Sequence, residues 1–309
     1  MARILVTGAA GFIGRALCRM LAAHGHHIIG AVRDSASPVD GAESCPLGTF
    51  TPETDWACAV DGVEIVVHLA QRAHRRGAAF DREPETAAGL ARAARRAGCR
   101  RLVYVSSIKA MGDTTLPGRP FRAGDPARPQ DDYGRAKLAT EAALAAVSSE
   151  TGIELAVIRP PLVYGPGVGA NFRALMRLVA RGVPLPFAAV DNRRSLIGID
   201  NLVDLTIAAS LHPAASGQVL LACDGDDLST PALIRALSEA LGRRARLFAA
   251  PASVLALGRA IPGIGPPLAR LTLSARIDDG ATRSLLGWAS PVSAAAGLAA
   301  TAAAYRAAR

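Results

Sequence analysis

A tyrosine and a lysine four residues apart are the strongest chemical signal in this sequence. Tyr133 and Lys137 lie at the start of a predicted helix, where residues i and i+4 share one face. An ammonium group beside a phenol favours the phenolate, so we expect Lys137 to lower the Tyr133 pKa from its ordinary value of about 10. Such a tyrosine can act as an acid or base near neutral pH. The chain has only two lysines, Lys109 and Lys137, which argues against chance placement.

A serine is the predicted partner of this pair. Ser107 follows the apolar run at residues 102–105, where its hydroxyl could hydrogen-bond a reacting hydroxyl or carbonyl group. Ser106 is the neighbouring alternative, but side chains alternate along a strand, so only one of the two serines can face the site. We predict that Ser107, Tyr133 and Lys137 carry the catalysis.

A glycine-rich turn follows the first apolar run of the chain. Residues 7–14 read Thr-Gly-Ala-Ala-Gly-Phe-Ile-Gly, with the spacing G-x-x-G-x-x-G. Gly8 permits a tight turn, Gly11 lets the backbone approach a pyrophosphate, and Gly14 lets the helix pack against the strand. The helix N-terminus then presents free N–H groups to the phosphates. Glycine spacing alone is weak evidence, but its position between a strand and a helix predicts a dinucleotide site.

The tip of the second predicted strand bears on which dinucleotide is bound. An Asp or Glu at this place would accept a hydrogen bond from a free ribose 2′-hydroxyl. This chain has Arg33 after the run at residues 28–32. A guanidinium group can pair with a 2′-phosphate. The sequence therefore favours NADP and leaves NAD open.

The first half of the chain alternates short apolar runs with helical patterns. Buried strands that alternate with helices predict an α/β fold with a doubly wound, parallel Rossmann sheet. The apolar runs cover residues 4–6, 28–32, 64–69, 102–105 and 153–158, and helices are expected at about 87–97 and 132–150.

The second half is richer in Pro and Gly and poorer in strands, which predicts a smaller, helix-rich C-terminal substrate domain. We expect residues 1–168 to form the dinucleotide-binding domain, with a return of the chain at about 196–222, and residues 169–195 and 223–309 to form the cap. Residues 112–130 are expected to form a surface loop. Helical patterns occur near 171–181, 201–211, 230–241 and 292–307, and residues 219–222 could rejoin the sheet.

Composition excludes several other classes of protein. The 309 residues carry a net charge of +9, but the arginines are scattered and no aromatic platform is interleaved with them, so we expect no nucleic-acid partner. No apolar stretch reaches about 18 residues, so no membrane span is expected.

The cysteines and histidines predict neither a disulfide framework nor a metal site. The cysteine count is odd, no CxxC pair occurs, and no carboxylate or cysteine clusters around the histidines at 24, 26 and 27. We expect a reduced, cytoplasmic protein. The five cysteines are Cys18, Cys45, Cys58, Cys99 and Cys223.

Together these segments resemble the extended short-chain dehydrogenases/reductases that act on nucleotide sugars. The sequence is most similar to the branch of bacterial UDP-N-acetylhexosamine 4-epimerases and 4-keto-reductases used for surface polysaccharides. The matching segments are TGAAGFIG at 7–14, VVHLA at 66–70, VSSIKAMG at 105–112, YGRAK at 133–137, RPPLVYGPG at 159–167, ANF at 170–172, NRRSLIGIDN at 192–201 and LLGW at 285–288.

The resemblance implies a role for each matched position. It implies a UDP-sugar substrate and leaves a homodimer open. A guanidinium also suits phosphate oxygens on chemical grounds. The implied substrate-binding residues are Ser107, Asn171 and Arg194, and the implied cofactor-binding residues are Gly8, Gly11, Phe12, Ile13, Gly14, Arg33, Leu69, Ala70, Tyr133, Lys137 and Pro160.

Three positions depart from the family pattern. Glu83 stands where the family commonly has an Asn in the helix before the serine strand. Residues 45–48, Cys-Pro-Leu-Gly, lack the Asp that often touches adenine. Ile108 and Lys109 replace the Asp-Glu pair of the family's dehydratases, which disfavours elimination of water.

The leading interpretation is an NAD(P)-dependent enzyme that moves hydride at C4 of a UDP-sugar, such as a UDP-glucose or UDP-N-acetylhexosamine 4-epimerase. The same residues would serve a reductase of a UDP-4-keto-6-deoxy-hexosamine, and Arg33 favours that alternative. An alternative of another class is a non-catalytic, dinucleotide-binding redox regulator, which the departures from the pattern favour and the intact Ser107, Tyr133 and Lys137 oppose.

Overall fold

Seven parallel strands form the main sheet of the computed structural model, which describes residues 1–70 and 82–308. The strand order is β3-β2-β1-β4-β5-β6-β9, and every neighbouring pair is parallel. Two further strands, β7 and β8, lie outside this sheet. In chain order the strands are β1 Arg3–Thr7, β2 His27–Val32, β3 Glu43–Pro46, β4 Ile65–His68, β5 Arg101–Val105, β6 Glu154–Arg159, β7 Leu162–Tyr164, β8 Leu196–Gly198 and β9 Val219–Leu221.

Helices connect and cover these strands. They are α1 Phe12–Ala23, α2 Ala57–Val60, α3 Glu83–Arg96, α4 Asp132–Thr151, α5 Ala170–Ala180, α6 Ile199–Leu211, α7 Thr230–Ala240, α8 Ala252–Arg259, α9 Gly265–Thr272, α10 Gly280–Leu286 and α11 Ala294–Ala307.

Alternation along β1 shows how the sheet buries both of its faces. Ile4 and Val6 pack into one apolar cluster with side chains of α1 and α6. Leu5, which points to the opposite face, packs into a second cluster with α3 and α4. Both faces are therefore covered by helices, and the predicted doubly wound α/β sheet is confirmed.

The strand order sets the position of a ligand crevice. β1 lies between β2 and β4, so the chain leaves β1 for one side of the sheet and continues on the other side from β4 onward. Ligands of open α/β sheets bind at such a reversal, outside the carboxyl ends of the strands. The glycine turn after β1 lies at this point.

Helix α4 has clear start and stop signals. The Asp131 carboxylate accepts a hydrogen bond from the Gly134 amide at 2.8 Å, which caps the N-terminus. Gly152 ends the helix with a φ of 73°, a left-handed conformation that glycine adopts without strain. These signals place Tyr133 in the first turn of the helix.

The C-terminal region has its own apolar core. Side chains of α5, α7 and α11 pack together in a cluster that includes Phe172, Leu237 and Leu298. In the segment at 196–222, strand β9 pairs with β6 in the main sheet, while β8 pairs with β7 in a separate two-stranded sheet. Helix α6 packs against the main sheet.

Some elements differ from the sequence-based expectation. Strand β3 was not predicted, because its residues Glu-Ser-Cys-Pro lie at the edge of the sheet and are mostly exposed, so they form no apolar run. Helices α8, α9 and α10 were also missed, since they are seven or eight residues long in a region rich in Pro and Gly. The expected loop at 112–130 is confirmed. No helix among the described residues is long and apolar enough to span a membrane.

Candidate functional site

Three glycines of the turn between β1 and α1 leave little room for a side chain. Gly8 has a φ of 70°, and a Cβ atom there would lie 3.0 Å from the Ala70 nitrogen. A Cβ atom on Gly14 would lie 2.2 Å from the Gly8 carbonyl oxygen, well inside van der Waals contact. At Gly11 the same oxygen is 3.1 Å away. The backbone therefore forms a side-chain-free cradle at the N-terminus of α1, which fits a pyrophosphate group.

Thr7 joins this cradle to the end of β4. Its hydroxyl oxygen accepts hydrogen bonds from the amides of Leu69 and Ala70, each at 3.3 Å. The same oxygen lies 2.7 Å from Nδ1 of His68. Leu69 and Ala70 thus lie against the glycine turn, as the resemblance implied for cofactor-binding residues.

His68 links the cradle to Lys137. Its ring stacks on the Tyr104 ring with 5.6 Å between centroids, and the Lys137 ammonium lies 4.6 Å from the Tyr104 centroid. Burial, with the nearby charge of Lys137, lowers the pKa of His68 to about 3. His68 is therefore a neutral ring. Sequence analysis missed it, although a polar residue that ends a buried strand at the carboxyl edge is a usable signal.

Ser107 and Tyr133 come together as predicted. Ser107 follows β5, and Tyr133 lies in the first turn of α4. Their hydroxyl groups are hydrogen-bonded to each other, and Ser107 Oγ also accepts from the Lys109 amide at 3.2 Å. A serine and a phenol in contact at the crevice can share one substrate oxygen. The predicted pair therefore exists in the fold.

Ser106 faces the other side of the strand, as alternation requires. Its hydroxyl donates to the buried carboxylate of Glu141. Glu141 also accepts two hydrogen bonds from the guanidinium of Arg159 at the end of β6, at 2.5 and 3.1 Å. This buried ion pair lies behind the site and ties α4 to β5 and β6.

Lys137 is buried one turn after Tyr133. Its Nζ donates to the Val105 carbonyl at 2.7 Å and lies 6.0 Å from the centroid of the Tyr133 ring. Burial lowers the pKa of Lys137 to about 7, while the carboxylates of Glu83 and Glu141 act in the opposite direction.

The expected effect of Lys137 on Tyr133 is wrong for this geometry. Burial raises the pKa of Tyr133 to about 12, and the Ser107 hydrogen bond opposes that rise without reversing it. The Lys137 ammonium lies far from the phenol and is hydrogen-bonded to the Val105 carbonyl, so it does not determine the pKa of Tyr133. Tyr133 is therefore a neutral phenol at neutral pH.

Glu83 is the departure from the family pattern that lies closest to this chemistry. It is the first residue of α3, and its charge raises the pKa of both Tyr133 and Lys137. A carboxylate thus acts on Tyr133 and Lys137 where the resemblance leads one to expect a neutral amide.

The cap contributes two arginines near the start of α4. Arg194 is half-buried, and its guanidinium donates to the Leu273 carbonyl at 2.9 Å. Burial and the neighbouring cation Arg270 lower the pKa of Arg194 to about 10. Arg270 also lowers the pKa of Asp131, although less than Lys109 does. Because the two cations repel each other, an anion bound between them would be stabilised by both. Arg270 was missed because no motif surrounds it.

Lys109 also belongs to this border between sheet and cap. Its ammonium forms ion pairs with Asp131 and, at 3.0 Å, with Asp113. These pairs fix the loop after β5 against the start of α4.

The other predicted site residues make fewer contacts. Phe12 and Ile13 form the first turn of α1, and Pro160 accepts a hydrogen bond from the Ile108 amide at 2.9 Å. Arg33 is exposed just after β2, and Asn171 is exposed in the first turn of α5. Among residues 1–70 and 82–308, no ion pair holds the Arg33 side chain and no hydrogen bond joins Asn171 to Arg194. No cluster of metal-ligand side chains occurs in that part of the chain.

The fold and this site define a Rossmann-type α/β protein with a glycine cradle at the switch point and a Ser–Tyr–Lys constellation beside it. A model described as the NAD dependent epimerase/dehydratase family matches residues 4–222, and the chain belongs to that family.

Individual relatives agree with this assignment. A UDP-glucose 4-epimerase from Vibrio cholerae is 38% identical over 312 residues, which cover 98% of this chain and 95% of the relative. The fold is similar to that of a UDP-glucuronic acid 4-epimerase from Bacillus cereus, solved with UDP-glucuronic acid and NAD, with a TM-score of 0.80 and 20% identity over 99% of this chain and 100% of that one. A UDP-N-acetylglucosamine 4-epimerase from Bacillus cereus gives the same TM-score, identity and coverage.

Proposed function

We propose that this protein is a UDP-sugar 4-epimerase that moves hydride at C4 of a UDP-hexose or UDP-N-acetylhexosamine. The observation that carries the proposal is the hydrogen-bonded Ser107–Tyr133 pair beside the glycine cradle, with Lys137 buried one helical turn away. The name of the 38% identical relative supports the same activity.

The glycine cradle supports a nicotinamide dinucleotide as cofactor. Gly8, Gly11 and Gly14 leave backbone N–H groups and no side chains where a pyrophosphate fits. When bound, the dinucleotide accepts a hydride from C4 and returns it. We propose NADP as readily as NAD, because Arg33 at the tip of β2 offers a cation to a 2′-phosphate.

Tyr133 is the proposed acid and base. Its phenol holds a proton at neutral pH, because burial raises its pKa to about 12. It can give that proton to a 4-keto oxygen directly. To remove the proton of a C4 hydroxyl, it must first become phenolate, and the Ser107 hydroxyl would stabilise that charge.

Arg194 and Arg270 are the proposed holders of the diphosphate. Their guanidinium groups lie close enough to repel each other, and an anion between them removes that repulsion. Asn171, exposed at the start of α5, is a proposed third contact. Fixing the diphosphate while the 4-keto sugar turns would let hydride return to the other face.

A UDP-sugar 4-keto-reductase is the second candidate. Two observations favour it, namely the protonated phenol of Tyr133, which is the form a reductase needs, and the cation Arg33. For either activity we propose a cytoplasmic location and a product destined for surface polysaccharides, as the resemblance implies.

The test is a panel of UDP-hexoses, UDP-N-acetylhexosamines and their 4-keto forms, followed by NMR with NAD or NADP. An epimerase interconverts C4 epimers with the cofactor in catalytic amount. A reductase consumes one reduced cofactor for each 4-keto sugar. Inactivity across the panel, with cofactor bound, contradicts both candidates and favours a dinucleotide-binding regulator.

A further inference from the structure

Two cysteines far from the catalytic residues lie side by side. Cys45 is in edge strand β3 and Cys58 is in α2, and their sulfur atoms are 3.7 Å apart. Both are free thiols, and the other three cysteines, Cys18, Cys99 and Cys223, are buried. Sequence analysis missed the pair because the two residues are not in a CxxC spacing.

We infer that Cys45 and Cys58 are a thiol–disulfide site, which a peroxide oxidises to an intramolecular disulfide and a thiol reductant reopens.

The local structure permits the bond. An S–S bond of about 2.05 Å requires the two sulfurs to approach by less than 2 Å, a distance within reach of side-chain rotation about the Cα–Cβ bond. The surroundings are easily displaced, because β3 is an edge strand with exposed side chains and α2 is only four residues long.

Exposure sets the order of the two oxidation steps. Cys58 is exposed, whereas Cys45 is half-buried, and burial together with the contact with Cys58 raises the Cys45 pKa to about 11. Cys58 is therefore the sulfur that a peroxide reaches first. The Cys58 thiol loses its proton, its sulfur attacks one peroxide oxygen, and the O–O bond breaks, so that a sulfenic acid forms and the leaving hydroxide takes up the proton as water. The Cys45 sulfur then attacks the sulfenic sulfur and a second water leaves. Two thiols and one hydrogen peroxide give one disulfide and two waters, and each sulfur loses one electron.

The site is connected to the proposed cofactor crevice. The segment after Cys45 is bonded to the tip of β2, since the Leu47 amide donates to the Val32 carbonyl at 3.0 Å and the Gly48 amide to the Arg33 carbonyl at 3.1 Å. Drawing Cys45 toward α2 pulls on the backbone that positions Arg33. Resting on the proposed function, we expect the disulfide to weaken NADP binding by up to about fivefold, the loss expected from removing the Arg33 cation, and to leave NAD binding unchanged.

The first experiment maps the disulfide in the full chain. The protein is treated with hydrogen peroxide, alkylated and digested without reduction. We expect a loss of two hydrogen atoms in intact mass and one cross-linked peptide pair that joins Cys45 to Cys58. Cys45→Ser and Cys58→Ser should lose this product, while Cys99→Ser, which changes a buried thiol, should keep it. Disulfide-linked dimers through Cys58, or a sulfinic acid at Cys58 with Cys45 still alkylated, would overturn the inference.

The second experiment measures NAD and NADP affinity before and after oxidation. Weaker NADP binding in the oxidised wild type, restored by dithiothreitol and missing in Cys58→Ser, supports the coupling to the crevice. Equal NADP affinity in both states contradicts the coupling and leaves the mapped disulfide standing. Failure to bind either dinucleotide in the reduced state contradicts the proposed function instead, so the two failures are distinguishable.

Discussion

The carboxyl edge of the sheet and the inner side of the cap hold their functional side chains in different ways. At the sheet edge, Lys137 and His68 are buried, and burial lowers the pKa of Lys137 to about 7 and the pKa of His68 to about 3. In the cap, Arg194 is half-buried and remains a cation, with its pKa lowered only to about 10. Burial at the edge keeps His68 and Tyr133 uncharged at neutral pH and brings the pKa of Lys137 close to neutral, whereas Arg194 in the cap keeps a permanent charge. We therefore expect substitutions at the edge to change turnover and substitutions in the cap to change substrate affinity.

The largest effect should come from Tyr133→Phe. The change removes only the hydroxyl that Ser107 contacts, so turnover should fall by about 10²–10⁴-fold while dinucleotide affinity survives. Steady-state kinetics and calorimetry measure the two quantities. Tyr164→Phe is the matched control, since that phenol donates to Asp224 in the cap region at 2.6 Å and lies outside the proposed chemistry. Full turnover in Tyr133→Phe would contradict the assigned role.

Arg194→Ala should mainly weaken binding of UDP and UDP-sugars. Loss of a charged hydrogen bond costs about 1.5–3 kcal/mol, which is roughly a 10- to 150-fold rise in the dissociation constant. Arg193→Ala is the control, because its side chain is exposed and pairs with Asp191 at 3.6 Å. If Arg194→Ala kept its UDP affinity but lost turnover, the expectation that cap substitutions change substrate affinity and edge substitutions change turnover would be contradicted.

His68 should make the fold sensitive to acid. Its pKa is lowered to about 3 in the folded state, so between about pH 3 and 6.5 the unfolded chain binds a proton that the folded chain does not. Stability should therefore fall as pH drops below 6.5, by about 1.4 kcal/mol per pH unit from this group alone. Urea unfolding at pH 7 and pH 5 should show a smaller loss in His68→Gln than in the wild type. An equal loss in both would show that His68 is not buried as a neutral ring.

The smallest effect should come from Arg33→Ala. Arg33 belongs to the sheet edge but is exposed, so its pairing with a 2′-phosphate is screened by solvent and worth about 1 kcal/mol or less. NADP affinity should fall by up to about fivefold, and NAD affinity should stay the same. Titration with both dinucleotides checks this, and an equal loss for both would remove Arg33 from the choice of cofactor.

The parts of the site that depend on local sequence could be predicted. The cradle at Gly8–Gly14 and the spacing of Tyr133 and Lys137 follow from one turn and one helix, and strand alternation allows only one of Ser106 and Ser107 to face the site. The apolar runs likewise predicted the buried strands of the sheet, but not the exposed edge strand β3.

The remainder depends on contacts between distant segments. Arg270 reaches Arg194 and Asp131 only after the cap folds, and Cys45 reaches Cys58 only when β3 and α2 pack together. The Tyr133 pKa was predicted in the wrong direction for the same reason, because a spacing of four residues reports neither the burial of the phenol nor the Val105 carbonyl that engages Lys137.

The most direct test of the proposed epimerase activity is the fate of the hydrogen on C4. UDP-glucose and UDP-N-acetylglucosamine labelled with deuterium at C4 are incubated with the protein and a catalytic amount of NAD or NADP, and the products are followed by NMR. We expect the C4 epimer to form with deuterium still at C4 and with no net change in nicotinamide absorbance. Deuterium lost to the dinucleotide pool with net cofactor reduction, or no epimer from either sugar, would contradict a 4-epimerase.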